Sequence, residues 1–197
     1  MQLNDFRFPR CEYWFYFKGL WRERGLKATY KQFQKHLRRP YSRAIVQRYS
    51  SYPNGKGLEI GVGARTIAPV SRTLLADGYE SHGKDRSIAQ VYFPANDIPF
   101  GDATFDFVLS EHTLEHIGNA LRALREWVRV LKPGGIPDHY RHVAKADLAR
   151  TGSIHHHVWV AEDIKEVLQY LGLEAMCCEN EVADRSDSFV VVGQKKN

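Results

Sequence analysis

Short, largely apolar runs separated by polar and glycine-rich segments recur along the chain from residue 57 onward. They predict strands at about 57–60, 72–77, 89–93 and 104–109. Runs of this length and composition are typical of strands in a sheet that is covered on both faces. This part of the chain therefore predicts an α/β fold.

Two later segments have the periodicity of amphipathic helices. The first is predicted to follow an Asn119 N-cap and to run to Leu131, before Pro133 and Gly134 stop it. Its inward stripe is predicted to be Leu121, Leu124, Val128 and Leu131, opposite Arg122, Arg125, Glu126 and Arg129. The second begins near Ala161, with Gly172 at its C-terminal cap and with Ile164, Val167, Leu168 and Leu171 inward. Residues 173–178 and 188–193 then predict a closing antiparallel pair.

The first predicted strand runs into a glycine turn, Leu58-Glu59-Ile60-Gly61-Val62-Gly63. Gly61 and Gly63 let the backbone turn tightly and approach a ligand where a Cβ would collide. Glu59 lies near the carboxyl end of the strand, where an α/β sheet opens its binding crevice, and its charge favours a cationic ligand. Thr66 occupies the place of the third glycine in a dinucleotide motif, which argues against NAD. The pattern predicts a pocket for an adenosine cofactor, and an ordinary turn after a buried strand is the alternative.

Several motifs follow this turn in a fixed order: Asp97-Ile98-Pro99-Phe100, residues 104–112, Leu114-Glu115-His116-Ile117 and Lys132-Pro133-Gly134-Gly135. In order and spacing they resemble the class I S-adenosylmethionine-dependent methyltransferases of the small-molecule type. The resemblance covers residues 55–135 well and 155–193 loosely, and residues 1–52 lie outside it. It implies a Rossmann-like, mostly parallel sheet with helices on both faces, a closing antiparallel hairpin and S-adenosyl-L-methionine as the cofactor.

The resemblance also implies a set of cofactor-binding residues: Glu59, Gly61, Gly63, Asp77, Asn96, Asp97, Ile98, Ser110 and Glu111. Among them, Asp77 would accept hydrogen bonds from the ribose hydroxyls, with Asp85 as the second candidate. Residues 96–98 would contact adenine, and residues 110–112 would face the cofactor and the substrate. Turn-forming roles are the alternatives for Asp77 and Asp97. Asp106 is interpreted as a structural acid.

His112 is the candidate catalytic residue, as a general base on the substrate side. His112 and His116 are four residues apart, but the sequence places no third ligand with them, so no metal site is predicted. The other histidines, His139, His142 and His155–His157, are expected to be exposed or hydrogen-bonded. Three consecutive histidines of one strand cannot face one metal, because alternate side chains point to opposite faces.

A strand is expected to be missing after Gly135. The resemblance places an apolar central strand there, but Pro137 and the polar run to His142 argue against one. Either the protein lacks this strand or the sequence is part of a longer chain. The closing pair would then lie directly beside strand 104–109 or leave a gap beside it.

The basic charge is concentrated in the N-terminal segment. Residues 1–52 hold 12 Lys and Arg against three acids, and 13 of the 24 aromatic residues. Their surplus of +9 leaves −4 for the remainder, since the net charge is +5. Such a segment predicts a helical lid on the core, a nucleic-acid surface or a peripheral membrane helix. Its helices are expected to break near Gly25 and Pro40.

With 197 residues, the chain is long enough for one core with an appendage. The expected division is a basic aromatic appendage and linker at 1–54 and a methyltransferase-like domain at 55–197. No apolar run reaches the ~18–20 residues that cross a bilayer, and the N-terminus lacks the apolar core of a signal peptide. Cys11, Cys177 and Cys178 have neither metal-binding spacing nor a disulfide framework. A cytoplasmic location is therefore expected.

These observations predict an S-adenosylmethionine-dependent methyltransferase acting on a small-molecule or sugar-type acceptor. The first alternative is a degenerate, non-catalytic methyltransferase fold that binds a partner through the basic N-terminal segment. The second is a histidine-metal hydrolase. The expected partner is a small-molecule substrate. Nucleic acid or a membrane surface would be a partner only if residues 1–52 form something other than a lid.

Overall fold

The computed structural model describes residues 1–10, 14–15, 18, 21, 25–27, 29–30, 34, 55–64, 66–82, 85–142, 159–179 and 188–196. The strands are β1 (Gly57–Ile60), β2 (Thr73–Asp77), β3 (Ser81–His82), β4 (Asp85–Arg86), β5 (Val91–Tyr92), β6 (Phe105–Glu111), β7 (Leu131–His142), β8 (Leu173–Glu179) and β9 (Ser188–Lys195). The longer helices are α1 (Ala120–Val130) and α2 (Ala161–Tyr170). Short 3-10 helices lie at Leu3–Asp5 and Leu114–His116.

Seven strands form one sheet in the order β5-β2-β1-β6-β7-β9-β8. The first five are mutually parallel. β9 is antiparallel to both β7 and β8, which closes the sheet at one edge. This arrangement confirms the mostly parallel sheet and the closing hairpin expected from the sequence. β3 and β4 form a separate two-stranded ribbon that was not predicted.

The expectation of a missing strand is wrong, because β7 fills that place. Phe107 pairs with Ile136 and Leu109 with Asp138, so the hairpin neither docks on β6 nor leaves a gap beside it. The pairing of β7 with β6 is irregular between Phe105 and Phe107, and the Lys-Pro-Gly-Gly turn lies at that irregularity. Pro137 immediately precedes Asp138, the first residue that pairs with β9, so it stands outside that ladder. The hydrophobic pattern does not indicate a strand at β7, because Ile136 is the single aliphatic residue between its two prolines.

The two faces of the sheet are covered differently. α1 and α2 pack on the face that carries Leu58, Ile60, Leu74 and Val108. The opposite face carries Phe107 and Leu109, which pack with Ile67 and Ala68 of the segment between β1 and β2. That segment forms turns and bends where the structure describes it.

α1 begins as predicted but presents a different stripe. The Asn119 side chain accepts a hydrogen bond from the Arg122 amide at 3.0 Å, so the predicted N-cap is confirmed. Leu121, predicted to point inward, is 48% exposed. The buried positions are instead Ala120, Ala123, Leu124, Trp127 and Val130. The buried indole of Trp127 and the two alanines fix this face, whereas the predicted stripe followed the leucines and valines. In α2, Ile164 and Leu168 are buried as predicted.

The described part of the N-terminal segment packs on the core. The Met1 ammonium donates to the Pro99 carbonyl at 2.8 Å, and the Phe6 and Phe100 rings lie 6.0 Å apart. Phe15, in helical conformation, is partly buried against the cluster of Val62, Val70 and Leu75. Leu75 alternates with Leu74 along β2, so helical residues lie over both faces of the sheet.

The boundary at residues 54 and 55 stays a prediction, since residues 51–54 are outside the described part, as are Pro40 and Cys11. Within the described residues, no helix has the length and apolar character needed to span a membrane.

Candidate active site

The carboxyl ends of β1, β2 and β6 lie side by side. Ile60 pairs with Ala76 on one side and with Ser110 on the other. The segments that follow these strands therefore meet at one edge of the sheet, which is where open α/β sheets bind ligands. The structure brings together most of the predicted site residues there: Glu59, Gly61, Gly63, Asp77, Ser110, Glu111 and His112.

The glycine turn has the backbone conformation that favours glycine. Gly61 has φ +76° and Gly63 has φ +52°. A Cβ on Gly61 would lie 2.0 Å from Oγ1 of Thr113, whereas a Cβ on Gly63 would have no atom within 4 Å. Thr113, which follows β6, thus leaves no room for a side chain at Gly61, whereas Gly63 borders open space. This is the difference expected between a structural glycine and one that lines a crevice.

Glu59 is buried and anchors the segment after the glycine turn. Its Oε1 accepts the Ile67 amide at 3.1 Å and its Oε2 accepts the Ala68 amide at 3.3 Å. The Thr66 hydroxyl donates to the same carboxylate. Burial raises the pKa of Glu59 to about 7; hydrogen bonds from Thr66 and the two amides act against the rise, and the charge of Glu111 adds to it.

Asp77, at the end of β2, holds the glycine turn from the other side. Its Oδ2 accepts the Gly63 amide at 2.8 Å and the Ser87 hydroxyl at 2.9 Å. Its Oδ1 accepts the Gly78 amide at 2.7 Å and the Tyr79 amide at 3.4 Å. The carboxylate therefore fixes Gly63 and also closes the turn at Gly78. This combines the predicted site position with the turn-forming role that was the alternative.

Ser110 and Glu111 end β6 next to β1. The Ser110 hydroxyl is 1% exposed and has no hydrogen-bond partner among the described residues. A buried hydroxyl in that state is a natural position for a polar group of a ligand or a water molecule. Glu111 is also buried and adds negative charge close to Glu59.

His112 follows directly and has an unusual backbone. Its φ is +51°, a conformation that costs a non-glycine residue about 1–2 kcal/mol. Its Nδ1 lies 3.3 Å from Oε1 of Glu115, which is buried, whereas the His112 side chain is about one-third exposed. A carboxylate only accepts, so this contact favours a proton on Nδ1 and leaves Nε2 as the acceptor.

The predicted adenine-contacting residues are spread over a turn beside α1. Ile98 is buried in the main core, and its amide donates to Oε2 of Glu126 at 3.0 Å. Asp97 is exposed, and its amide donates to the Pro94 carbonyl at 3.0 Å. Asn96 is partly exposed in the same turn. The structure thus gives Ile98 a packing role, and adenine contacts by residues 96–98 remain a prediction.

The side chains of Asp85, His139 and His142, and all of residues 155–157, lie outside the described part of the chain. Within that part, no three His, Cys, Asp or Glu side chains form a group able to hold a metal ion. Asp106 accepts the Lys56 amide at 2.8 Å and pairs with Lys132 at 3.0 Å. It is therefore the structural acid predicted from the sequence.

Four further polar side chains shape this site, and the sequence did not predict this role for them: Thr66, Ser87, Thr113 and Glu115. Thr66 binds Glu59, and Ser87 binds Asp77. The Thr113 hydroxyl contacts the Ile60 carbonyl at 3.2 Å. For Glu115, the spacing of three from His112 carries no helical signal, because His112 precedes the Leu114–His116 3-10 helix and has a left-handed backbone. For Ser87 no local signal exists, because it contacts the end of β2 from beyond the β3–β4 ribbon.

Comparison with known proteins extends this picture. Residues 61–137 match a family model described as "Methyltransferase domain". The chain resembles the structure of a Thermotoga maritima S-adenosylmethionine-dependent methyltransferase, described as a possible histamine N-methyltransferase. The two structures align with a TM-score of 0.63 and 19% sequence identity, over 93% of this chain and 100% of the other. These matches support the resemblance to the class I S-adenosylmethionine-dependent methyltransferase family, and the solved structure shows the same fold. The family uses S-adenosylmethionine, as the sequence motifs implied.

Curated relatives match the chain over shorter stretches. An uncharacterized protein of Methanocaldococcus jannaschii is 38% identical over 87 residues, 42% of each chain. The ubiquinone/menaquinone biosynthesis C-methyltransferase UbiE of Geotalea daltonii is 31% identical over 116 residues, 49% of each chain. The chain thus spans about half the length of the curated relatives it matches.

Proposed function

We propose that this protein transfers a methyl group from S-adenosylmethionine to a small-molecule or sugar-type acceptor in the crevice above β1, β2 and β6. The observation that carries the proposal is the geometry of Gly63. Its amide is fixed on Asp77 at 2.8 Å, its φ is +52°, and the position of its absent Cβ is open. A backbone held in that way is built for close approach by a ligand.

The residues of the crevice fit the cofactor. When bound, S-adenosylmethionine supplies an electrophilic methyl group on a positively charged sulfonium. The buried acid Glu111, joined by Glu59 above its pKa of about 7, gives the site a negative character that suits a cation. The Ser110 hydroxyl, without a partner in the described structure, offers one donor and two acceptor positions to a polar group.

Asp77 can accept hydrogen bonds from the ribose hydroxyls if one of the groups that now donate to it moves away. A carboxylate has about four acceptor positions, and Asp77 accepts three amides and the Ser87 hydroxyl. The Tyr79 contact at 3.4 Å is the longest of the four, and the Ser87 hydroxyl can rotate away. These two positions are therefore where ribose hydroxyls would bind, while the Gly63 and Gly78 amides stay in place.

His112 is assigned as the general base for the acceptor. Its Nδ1 is oriented by Glu115 at 3.3 Å, so Nε2 is the nitrogen available to take a proton from the acceptor. Methyl transfer itself needs mainly positioning. The base matters where the acceptor loses a proton on methylation, as a hydroxyl or an activated carbon does.

The names of the curated relatives suggest the first acceptors to test. The Geotalea daltonii relative is a ubiquinone/menaquinone biosynthesis C-methyltransferase, and a Corynebacterium glutamicum relative is a demethylmenaquinone methyltransferase. A demethylated quinone is therefore the first small-molecule acceptor to offer the protein. Simple sugars are the comparison class.

The two alternative functions have less support. A non-catalytic binding protein was suggested by an absent central strand, and β7 removes that argument. A histidine-metal hydrolase has no supporting cluster among the described residues. Turnover with a demethylated quinone distinguishes an enzyme from a binding protein.

The cofactor site is tested by titrating the protein with S-adenosylhomocysteine in a calorimeter. We expect Asp77→Ala to weaken binding by about 1–3 kcal/mol, through loss of the ribose acceptor and loosening of the Gly63 amide. The matched control is Asp106→Asn, an acid at the start of β6 that serves Lys56 and Lys132. A folded Asp77→Ala variant with wild-type affinity would remove Asp77 from the site. Absence of binding to the wild-type protein would refute the proposed function.

A further inference from the structure

The outer side of the described N-terminal helical residues carries an unusual set of exposed side chains. Trp14 is 58% exposed, Trp21 47%, Leu26 59% and Tyr30 61%. Lys18 and Lys27 are exposed among them. Four large apolar or aromatic side chains within 17 residues thus face solvent together with two cations. We call these six residues the aromatic-basic surface.

The spacing of three of these residues fits one helix face. Trp14, Lys18 and Trp21 are each in helical conformation and exposed, and they are separated by four and three residues, the spacing of neighbours on one face. Phe15, about 100° around from Trp14, packs on the cluster of Val62, Val70 and Leu75. Thr29 is fully buried beside exposed Tyr30 in the following helical residues. The segment therefore has an inner face that contacts the core and an outer face that is rich in aromatics.

We propose that the aromatic-basic surface docks the protein on an anionic lipid bilayer. Tryptophan and tyrosine favour the boundary between headgroups and acyl chains, and lysine stems reach anionic headgroups from the same depth. Leu26 favours a bilayer over a nucleic acid, because an aliphatic side chain can enter the acyl region but offers no ring for base stacking. Charge complementarity extends beyond these residues, since residues 1–52 carry a surplus of +9.

The position of the surface relates it to the crevice. Phe15 packs on the cluster that contains Val62, the residue between Gly61 and Gly63. A helix that lies on a membrane through Trp14 and Lys18 would thus hold the edge of the crevice close to the bilayer. This inference does not depend on methyl transfer, because vesicle binding is measured without cofactor or acceptor.

The test is sedimentation of the full chain with vesicles of phosphatidylcholine mixed with phosphatidylglycerol, compared with phosphatidylcholine alone. We expect binding to the anionic vesicles and a blue shift of tryptophan emission. Trp14 and Trp21 are exposed, whereas Trp127 is buried, so they would dominate that shift. Trp14→Ser with Trp21→Ser should abolish most of the binding. Lys18→Glu or Lys27→Glu should each weaken it at least about five-fold, from ~1 kcal/mol per basic residue near an anionic surface.

Matched controls separate this surface from general stickiness. Tyr170 is 77% exposed in α2 and Lys196 is exposed at the opposite end of the chain, so Tyr170→Ser and Lys196→Glu should leave vesicle binding unchanged. Each variant is checked for an unchanged melting temperature. The proposal fails if the wild-type protein does not sediment with anionic vesicles, or if the double tryptophan variant binds as well as the wild type. Binding of a single-stranded oligonucleotide in place of vesicles would assign the surface to nucleic acid and also overturn it.

Discussion

The buried Glu59 makes the stability of this protein depend on pH in an unusual direction. Its pKa lies at about 7 in the folded protein, against an ordinary value of 4.5, chiefly because burial disfavours the charged carboxylate. Between these two pH values the folded protein holds a proton on Glu59 that the unfolded chain has released. Unfolding therefore releases a proton in this window, and stability falls as pH rises.

The magnitude follows from the size of the pKa difference. A rise of about 2.5 corresponds to about 3 kcal/mol, at about 1.4 kcal/mol per pKa unit. This contribution is fully present below pH 4.5 and is lost once the pH exceeds about 7. Glu59→Gln stays neutral at every pH and so lacks it. The variant also turns an amide NH₂ toward the Ile67 and Ala68 amides, which costs about 1–3 kcal/mol at all pH values.

The assay is urea unfolding of the wild type and Glu59→Gln across this pH range. The stability advantage of the wild type should shrink by up to about 3 kcal/mol as the pH rises from below 4.5 to above 7. Glu126 is the control with the opposite sign, because its hydrogen bond with Arg129 lowers its pKa. The stability advantage of the wild type over Glu126→Gln should grow as the pH rises toward neutrality. A wild-type advantage over Glu59→Gln that is constant with pH would refute the reasoning.

Two further predictions concern the crevice itself. Gly61→Ala should lower the melting temperature more than Gly63→Ala: both place alanine at positive φ, at about 1–2 kcal/mol each, but only Gly61→Ala puts a Cβ 2.0 Å from Thr113. Thermal unfolding measures the difference, and equal losses would show that Thr113 yields freely. His112→Asn should keep stability and S-adenosylhomocysteine affinity, since asparagine tolerates the left-handed backbone, yet lower kcat by about 10²–10⁴-fold. Unchanged kcat with a demethylated quinone would exclude His112 as the base.

The elements that local pattern specifies were predictable from the sequence. β1, β2 and β6 are short apolar runs, and α2 has an inward stripe with glycine at its end, so each carries its signal within a few residues. β7 differs, because half of its residues are polar, two are prolines, and its place depends on two distant strands. Asp138 pairs with Leu109 on one side and with Val192 on the other. A strand stabilised mainly by its neighbours leaves little periodicity to detect.

The candidate site was predictable in position and less so in its internal contacts. The glycine turn and the acids at the strand ends follow from the rule that parallel strands present their carboxyl ends at one edge. The hydrogen bond from Ser87 to Asp77 could not be anticipated, because it joins the end of β2 to a residue beyond the β3–β4 ribbon. Ile98 was assigned to adenine from the resemblance, while its aliphatic side chain is 3% exposed in the core. The core packing of Ile98 could not be inferred from its neighbours in sequence, because an apolar residue beside a proline turn serves either role, and its contact with adenine stays a prediction.

Glu59 shows how one residue connects these levels. The segment between β1 and β2 lacks a helix where it is described, yet Ile67 and Ala68 are buried over the sheet. Buried amides outside regular structure need acceptors, and a helix would have supplied them from its own carbonyls. The Glu59 carboxylate supplies them instead. The acid that the sequence predicts beside a cation-binding crevice is therefore also the acceptor that allows a loop to replace a helix beside it. Loss of this carboxylate should affect folding and cofactor affinity together, whereas loss of Glu111 removes negative charge without removing an acceptor from the loop.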